Sequence, residues 1–232
     1  RELFKLTEAI HFLIERAIAD KEMVESLQAY TPDGWPFDAT LPASQRGANR
    51  RYVLEALDCD EPLLGSFPDE VGAVEKIEII AEVLLLFLGS ITDGIIPAEV
   101  WGRIEMQMVS HKTALMAKDL KSFVLDEMTA VPHHHISLVF LMAMLGKVIA
   151  ERVPGTEGGE DKLGHGVSRR KSIRRSIEKR VGHHVGHRRS RSEVDAQEAV
   201  GRAERRKIEK RFGEIFAPVT FGSKSEGGKE KR

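Results

Sequence analysis

Histidines and arginine-flanked serines are the residues of this 232-residue chain whose type and spacing could do chemistry. Three consecutive histidines, His133, His134 and His135, could offer ring nitrogens to a metal ion. Zinc ligands converge from separated positions, however, and three neighbours at the start of a helix point in different directions. No Cys, Asp or Glu at ligand spacing stands nearby, so we predict no metal site. We interpret the histidines as a polar helix start whose side chains bond free backbone amides.

Four serines stand behind arginines in short basic runs, the pattern that basophilic kinases favour. They are Ser172, Ser176, Ser190 and Ser192. A phosphate would add about −1.5 to −2 charge to each of them. The sequence therefore predicts four candidate phosphorylation sites.

The basic residues around these serines divide the chain electrostatically. The formal net charge is −1, yet residues 162–211 hold 17 Lys and Arg against 6 Asp and Glu, so the remainder is acidic. A solvated linker is the simplest interpretation of such a segment. Contact with an anionic membrane is an alternative, in which each Lys or Arg contributes about 1 kcal/mol and phosphorylation weakens the attraction. Nucleic acid is not expected as a partner, because no aromatic residue interleaves with the arginines.

Sequence motifs of catalysis do not rise above chance in this chain, whether for a nucleophile, a phosphate loop or a carboxylate pair. Cys59 is the only cysteine, which excludes an internal disulfide and favours a reducing compartment. No signal peptide is visible, and the chain opens inside a helical pattern, so we expect a fragment of a longer chain. The apolar run 77–91 contains Glu78 and Glu82 and is shorter than the roughly 18–20 residues of a membrane span. We predict that it is a buried core helix.

Helical periodicity predicts an all-α fold, with no alternating strand pattern. The predicted helices span 1–29, 50–57, 74–88, 98–108, 112–128, 136–153 and 204–217, with a proline-rich loop over 31–49. The apolar residues 83–88 are predicted to be core. Residues 154–203, rich in Gly, Arg, Ser and His, are predicted to form a disordered insert, and residues 223–232 a disordered tail.

Three segments, in order, resemble the Rho GTPase-activating (RhoGAP) domain family. Residues 80–88, IAEVLLLFL, resemble the helix before the family's Leu-Pro-Glu-Pro turn. Residues 131–142, VPHHHISLVFLM, resemble its "LP..H…L..LM..L" helix, and residues 212–218, FGEIFAP, its "LA.VFGP" helix. The opening RELFKL is similar to the start of the RhoGAP-like domain at the C-terminus of OCRL-type inositol polyphosphate 5-phosphatases. The resemblance covers 1–153 and 204–222 and implies a RhoGAP-like helical bundle interrupted by the basic insert.

Active members of this family insert an arginine finger into the GTPase site, which accelerates hydrolysis roughly 10³–10⁵-fold. The finger motif, "G.(F/Y)R.SG", would fall at residues 21–28, which contain no Arg and no Ser-Gly. Arg46 is the arginine of the following loop that has a glycine beside it; it lies outside the motif, and we assign no catalytic residue. The family's helix lysine aligns with Leu85, and its two asparagines align with Arg211 and Val219.

The resemblance therefore implies a binding module for GTP-loaded Rho-family GTPases, such as Rac or Cdc42, that does not accelerate hydrolysis, because a leucine cannot orient a finger. It implies the C-terminal part of an inositol polyphosphate 5-phosphatase, cytoplasmic and peripheral on endosomal or other internal membranes, with no cofactor. Two alternatives stay open. One is an active, divergent GTPase-activating protein that uses Arg46, Arg50 or Arg51, and the other is a helical scaffold whose basic insert contacts membrane.

Overall fold

The computed structural model describes residues 1–19, 32–110, 117–153 and 191–221. These ranges hold seven α-helices, one short 3₁₀ turn and no strand, which confirms the all-α prediction. The helices are α1 (Glu2–Ala19), α2 (Ala43–Asp58), α3 (Ala73–Ser90), α4 (Ala98–Ser110), α5 (Ala117–Met128), α6 (Pro132–Arg152) and α7 (Arg191–Thr220), and the turn Leu63–Gly65 follows α2.

Helix α3 is enclosed by other helices, because it is apolar on nearly every side. It packs against α1, α2 and α7. Its buried residues are Ile77, Glu78, Ile79, Ile80, Ala81, Val83, Leu84 and Leu88. The prediction that all of 83–88 is core was wrong in part, since Leu86 is 52% exposed and Leu85 and Phe87 are only partly buried. Consecutive helical residues point in successive directions, so an unbroken apolar run must leave one side outward.

Helices α1 and α6 pack side by side and run parallel. The ring of Phe4 meets that of Phe140 edge-on, with 5.1 Å between centroids. Seven residues further along each helix, Nε2 of His11 lies 2.9 Å from Nζ of Lys147. Because the second contact lies seven residues after the first on each helix, the two axes point the same way. Among the described residues, α6 is also the one helix long and apolar enough to cross a membrane by length and composition, although its inner face is packed as core.

Helix α7 follows the basic segment in the sequence and packs into the same core. Its residues Ile208, Phe212 and Phe216 are buried. The carbonyl of Thr220, at its end, accepts a hydrogen bond of 3.0 Å from the amide of Ile96. The residues before 153 and after 203 therefore share one hydrophobic core.

Several helix boundaries differ from those predicted. Helix α2 begins at Ala43, directly after Pro42, rather than at residue 50, so the loop before it is shorter than expected. Helix α6 begins at Pro132 and not at residue 136 as predicted. A proline is tolerated at the first helical position, because the N–H that it lacks would have no partner within the helix there. Helix α7 begins at Arg191 rather than at residue 204 and runs two residues past Pro218, so it takes in the last residues of the predicted insert.

Parts of the predictions fall on residues that the structure does not describe. These are the remainder of the predicted insert, the tail after 222, and the segments 20–29 and 112–116 of two predicted helices.

Candidate functional site

The segment 32–42 between α1 and α2, called here the 32–42 loop, folds back on itself. The amide of Trp35 donates to the carbonyl of Pro32, and the amides of Phe37 and Asp38 both donate to the carbonyl of Gly34, each at 2.9 Å. Residues 34–37 are buried. A Cβ at Gly34 would lie 2.7 Å from Cγ of Asp38 and 2.8 Å from Cδ1 of Ile215, so a larger residue would force these two side chains to move.

Glu78 of α3 holds this loop from inside the core. Its side chain has no exposed surface. Its Oε1 accepts hydrogen bonds from Nε1 of Trp35 at 3.0 Å and from the amide and hydroxyl of Thr40 at 2.9 and 2.6 Å. Its Oε2 accepts the amide of Leu41 at 3.0 Å. A buried carboxylate is tolerated only when it is bonded in this way. The sequence signal for this contact is a charged residue inside an apolar helix, which by itself argues only against a membrane span.

A second carboxylate of α3 binds the arginines that the sequence offered as alternative fingers. Nε of Arg46 donates to Oε2 of Glu82 at 2.8 Å, and Nη1 of Arg50 donates to Oε1 at 3.1 Å. Arg46 also donates to the carbonyl of Leu41 and is only 16% exposed. The third candidate, Arg51, donates to the hydroxyl of Tyr52 and lies over its ring. Arg46 and Arg50 therefore lie on helix α2 rather than on a free loop, and both connect α2 to α3. Arg46 in addition binds the 32–42 loop at Leu41.

Helix α7 covers the other side of the loop. The ring of Phe37 lies edge-on to Phe212 and Phe216, at centroid distances of 5.4 and 4.7 Å. Next to it, the guanidinium of Arg211 donates to both carboxylate oxygens of Asp38, at 2.5 and 2.9 Å. The hydrogen bonds to Asp38 and then to Glu214 raise the pKa of Arg211 above its ordinary value.

Helix α6 supplies the remaining support. Nη1 of Arg152 donates to the carbonyl of Asp33 at 2.7 Å and to that of Trp35 at 3.2 Å. Burial lowers the pKa of Arg152, while Asp33 and Glu204 act in the opposite direction. Side chains from α2, α3, α6 and α7 therefore all fix the path of the 32–42 loop.

Of the three positions aligned above with polar residues of the RhoGAP family, Arg211 contacts this loop. Arg211 is bound to Asp38, as above. Val219 of α7 is partly buried, and its Cγ1 would lie 3.8 Å from a Cβ at Gly89 of α3. Leu85 packs partly buried against the core, and its neighbour Leu86 points outward one turn after Glu82. The stretch 21–28, where the finger motif would fall, lies outside the described residues.

The remaining sequence-predicted residues lie elsewhere. Nδ1 of His134 lies 3.1 Å from the carbonyl of Ile95, so this histidine binds a carbonyl and not a free amide as predicted. No group of three His, Cys, Asp or Glu side chains that could hold a metal is found among the described residues. Ser192 lies in the first turn of α7, whereas Ser172, Ser176 and Ser190 fall outside the described ranges.

Ion pairs border the 32–42 loop, with Arg46 and Arg50 bound to Glu82 and Arg211 bound to Asp38. Comparison with known proteins gives no match to the chain among family models, curated proteins or solved structures. Function is therefore inferred from the residues of the site.

Proposed function

We propose that the chain is a RhoGAP-like domain that binds GTP-loaded Rho-family GTPases without accelerating hydrolysis. The observation that carries this proposal is the packing of the helices that bear RhoGAP-like sequence. Helix α7 packs against both α3 and α6, although the predicted insert separates it from α6 in the chain. Chance similarity in three short segments would give no reason for the helices that carry them to meet around one loop.

The contacts of the arginines favour binding without catalysis. A finger must leave its own domain and reach the transferred phosphoryl group. Arg46 and Arg50 are instead held by Glu82 within their own bundle. Leu85, at the family's lysine position, has no hydrogen-bond donor with which to orient a finger. Without preorganised positive charge, bound GTP is hydrolysed little faster than in the free GTPase.

The opening residues favour a particular parent protein. Because RELFKL is similar to the start of the domain in OCRL-type enzymes, we place the chain at the C-terminus of an inositol polyphosphate 5-phosphatase. Its role would be to recruit that cytoplasmic enzyme to internal membranes that carry the GTPase.

Two measurements with purified Rac and Cdc42 test the proposal. Binding is measured by biolayer interferometry with each GTPase loaded with GDP or with a non-hydrolysable GTP analogue, and hydrolysis is followed by single-turnover phosphate release. We expect binding to the GTP form and no acceleration beyond about tenfold, far below a finger's effect. Faster hydrolysis that is lost in Arg46→Ala, with binding retained, would instead establish the divergent active protein.

Leu86 gives a matched pair of surface variants. Leu86→Glu places a charge on the exposed side of α3, one turn after Glu82, and is expected to weaken GTPase binding by about tenfold or more. Leu54→Glu is the control, since Leu54 is similarly exposed, at 45%, on a different helix, α2. Both leucines are exposed, so the two variants are expected to fold, which circular dichroism checks. Equal binding by the two variants would exclude this surface.

A scaffold that contacts membrane is the second candidate, favoured by the outward face of α7. Arg202, Arg206, Lys207 and Lys210 are all exposed there at three- or four-residue spacing. Co-sedimentation with phosphatidylserine vesicles over a salt series tests it, because screening should release the protein. Arg202→Gln/Arg206→Gln is compared with Arg16→Gln/Lys121→Gln, which removes the same charge elsewhere. Failure to pellet at low salt excludes this candidate.

A further inference from the structure

A groove of about 400 Å³ lies between α1 and the turn that follows α2. Its floor is apolar and includes the side chains of Phe12, Leu63 and Leu64, of which Phe12 is 47% exposed. Binding clefts usually have volumes of about 300–1,000 Å³. Because an exposed apolar groove of this size marks a contact surface, the charges at its rim indicate what would fill it.

The rim of this groove is acidic. Its charged lining residues are one cation, Lys5, and three carboxylates, Glu8, Asp60 and Glu61. Asp60 is bound to Lys5 and to Arg1. Glu8 and Glu61 are exposed, and neither carboxylate forms an ion pair within the part of the chain that the structure describes. The groove therefore suits a segment that carries both positive charge and bulky apolar side chains.

The chain itself contains such a segment. Residues 169–177, RRKSIRRSI, hold five Lys or Arg, no Asp or Glu, and the isoleucines Ile173 and Ile177. These residues, called here the 169–177 segment, lie outside the described ranges. Their charges are attracted to the acidic rim, and their isoleucines match the apolar floor. Charge and hydrophobicity therefore indicate the same occupant.

The connection from α6 is long enough to bring this segment to the groove. His11, the neighbour of Phe12 in the groove, lies beside Lys147 of α6. Val153 is six residues after Lys147, about 9 Å further along the helix axis. Crossing the widths of α6 and α1 adds about 20–24 Å. Residues 154–168, which connect Val153 to the segment, span up to about 50 Å when extended.

We propose that this groove binds the 169–177 segment of its own chain, with the isoleucines on the apolar floor and the arginines at the carboxylates of Glu8 and Glu61. Ser172 and Ser176 lie inside the segment, and a phosphate adds about −1.5 to −2 charge to each. Two phosphates offset most of the segment's five positive charges, so phosphorylation releases it from the groove. The groove residues differ from those of the 32–42 loop, so the test does not depend on the proposed GTPase binding.

Disulfide trapping in the full chain tests the contact, because the native thiol of Cys59 is exposed and adjoins Asp60 of the rim. In Ser172→Cys, oxidised glutathione is expected to join the introduced thiol to Cys59 within one chain, at a rate independent of protein concentration. Peptide mass mapping identifies the bond. Absence of this bond, or a bond that forms only between two copies, overturns the proposal.

Matched carboxylate variants of that cysteine chain test the acidic rim. Glu8→Gln/Glu61→Gln is expected to slow disulfide formation by about tenfold or more. Glu70→Gln/Glu105→Gln is the control, since these glutamates are also exposed and the variant removes the same net charge. Reaction with a small neutral thiol reagent corrects both rates for changes in the reactivity of the native thiol. Equal corrected rates in the two variants would contradict the proposal.

The apolar contact is tested in the segment itself, where the helical bundle is left unaltered. Ile173→Ser/Ile177→Ser keeps every charge of the segment and should also slow disulfide formation, because the apolar floor loses its partners. An unchanged rate would show attraction by charge alone and would exclude the groove as the binding site.

Peptide competition tests the effect of phosphorylation. A free peptide of residues 166–180 should slow disulfide formation once it approaches millimolar concentration, which is about the effective concentration of a tethered segment. The same peptide phosphorylated at Ser172 and Ser176 should compete at least about tenfold less well. Equal competition by the two peptides would contradict release by phosphorylation.

Discussion

Glu78 is the residue on which the 32–42 loop depends most directly. Its two oxygens accept hydrogen bonds from the indole of Trp35, from the amide and hydroxyl of Thr40, and from the amide of Leu41. Glu78→Leu would leave the indole and the two amides without an acceptor, at about 1–3 kcal/mol for each buried group. We expect a loss of about 3 kcal/mol or more in the free energy of unfolding, measured by urea denaturation.

The matched variant is Glu78→Gln, whose amide oxygen still accepts part of this network. It should lose clearly less stability than Glu78→Leu. An equal loss in both variants would mean that the negative charge, rather than the number of hydrogen bonds, stabilises the loop.

Asp60 occupies a backbone conformation that usually belongs to glycine. Its φ is 61°, and the amide of Glu61 donates to the carbonyl of Ala56 at 2.8 Å, which is the Schellman ending of a helix. The carboxylate of Asp60 in return pairs with Arg1 and Lys5 on α1. At this residue the strain of the left-handed backbone therefore lowers the free energy of unfolding, whereas the ion pairs raise it.

Salt separates these two effects. Asp60→Gly relieves about 1–2 kcal/mol of left-handed strain but removes exposed ion pairs worth about 0–1 kcal/mol. At about 1 M salt, where such pairs are screened, the variant should be more stable than the wild type, and the gain should shrink at about 0.01 M. Urea denaturation at both salt concentrations measures it. A larger gain at low salt would contradict this account.

At the scale of elements, the contact between α1 and α6 makes stability depend on pH. Burial, and then the charge of Lys147, lower the pKa of His11, although Glu15, Glu151 and Glu8 act to raise it. The unfolded chain therefore binds a proton near pH 6.5 more readily than the folded one does. The stability that His11 contributes is present above about pH 6.5 and is lost as the pH falls through the lowered folded value.

We expect the free energy of unfolding to fall between about pH 7 and pH 5.5, and His11→Gln to remove part of that fall. His133→Gln is the control, since His133 is exposed at the start of α6. Urea denaturation across this range measures the difference. A wild-type slope that matches that of His11→Gln would contradict the assignment.

The elements that could be predicted from sequence are those with strong apolar periodicity. The α3 prediction, 74–88, differs from the observed Ala73–Ser90 by at most two residues. Helix α2 was predicted too short because it buries only Val53 and Ala56, so its first turns show no apolar pattern. The start of α7 was missed for the same reason, since Arg, Glu and Ala favour helix without leaving a stripe before Ile208.

The site was less predictable than the helices, because its contacts join distant residues. Glu78 lies 43 residues after Trp35, and Glu82 lies 36 residues after Arg46. Periodicity within one helix carries no information on such pairs. The sequence could mark Arg46 as unusual, but its partner became evident only from the packing of α2 on α3.

At the scale of the whole molecule, the predicted insert interrupts the chain but not the core. Helix α7 adds Ile208, Phe212 and Phe216 to a core otherwise built from residues before 154. A protease site introduced between residues 154 and 190 should therefore give two pieces that stay together on gel filtration. Phe212→Asp is expected to release the smaller piece, because it buries an unpaired charge. Separation of the unmodified pieces after cleavage would contradict a shared core.

Four surrounding helices hold the backbone of the 32–42 loop, so its path does not depend on the side chains that it exposes. Glu78, Arg46, Arg152 and Arg211 determine where the backbone runs, while the side chain of Ala39 is only half-buried. Substitutions at this outward position should alter the contacts that the loop offers to a partner without unfolding the domain. Related chains could thus diverge in partner choice through a few residues while retaining one scaffold.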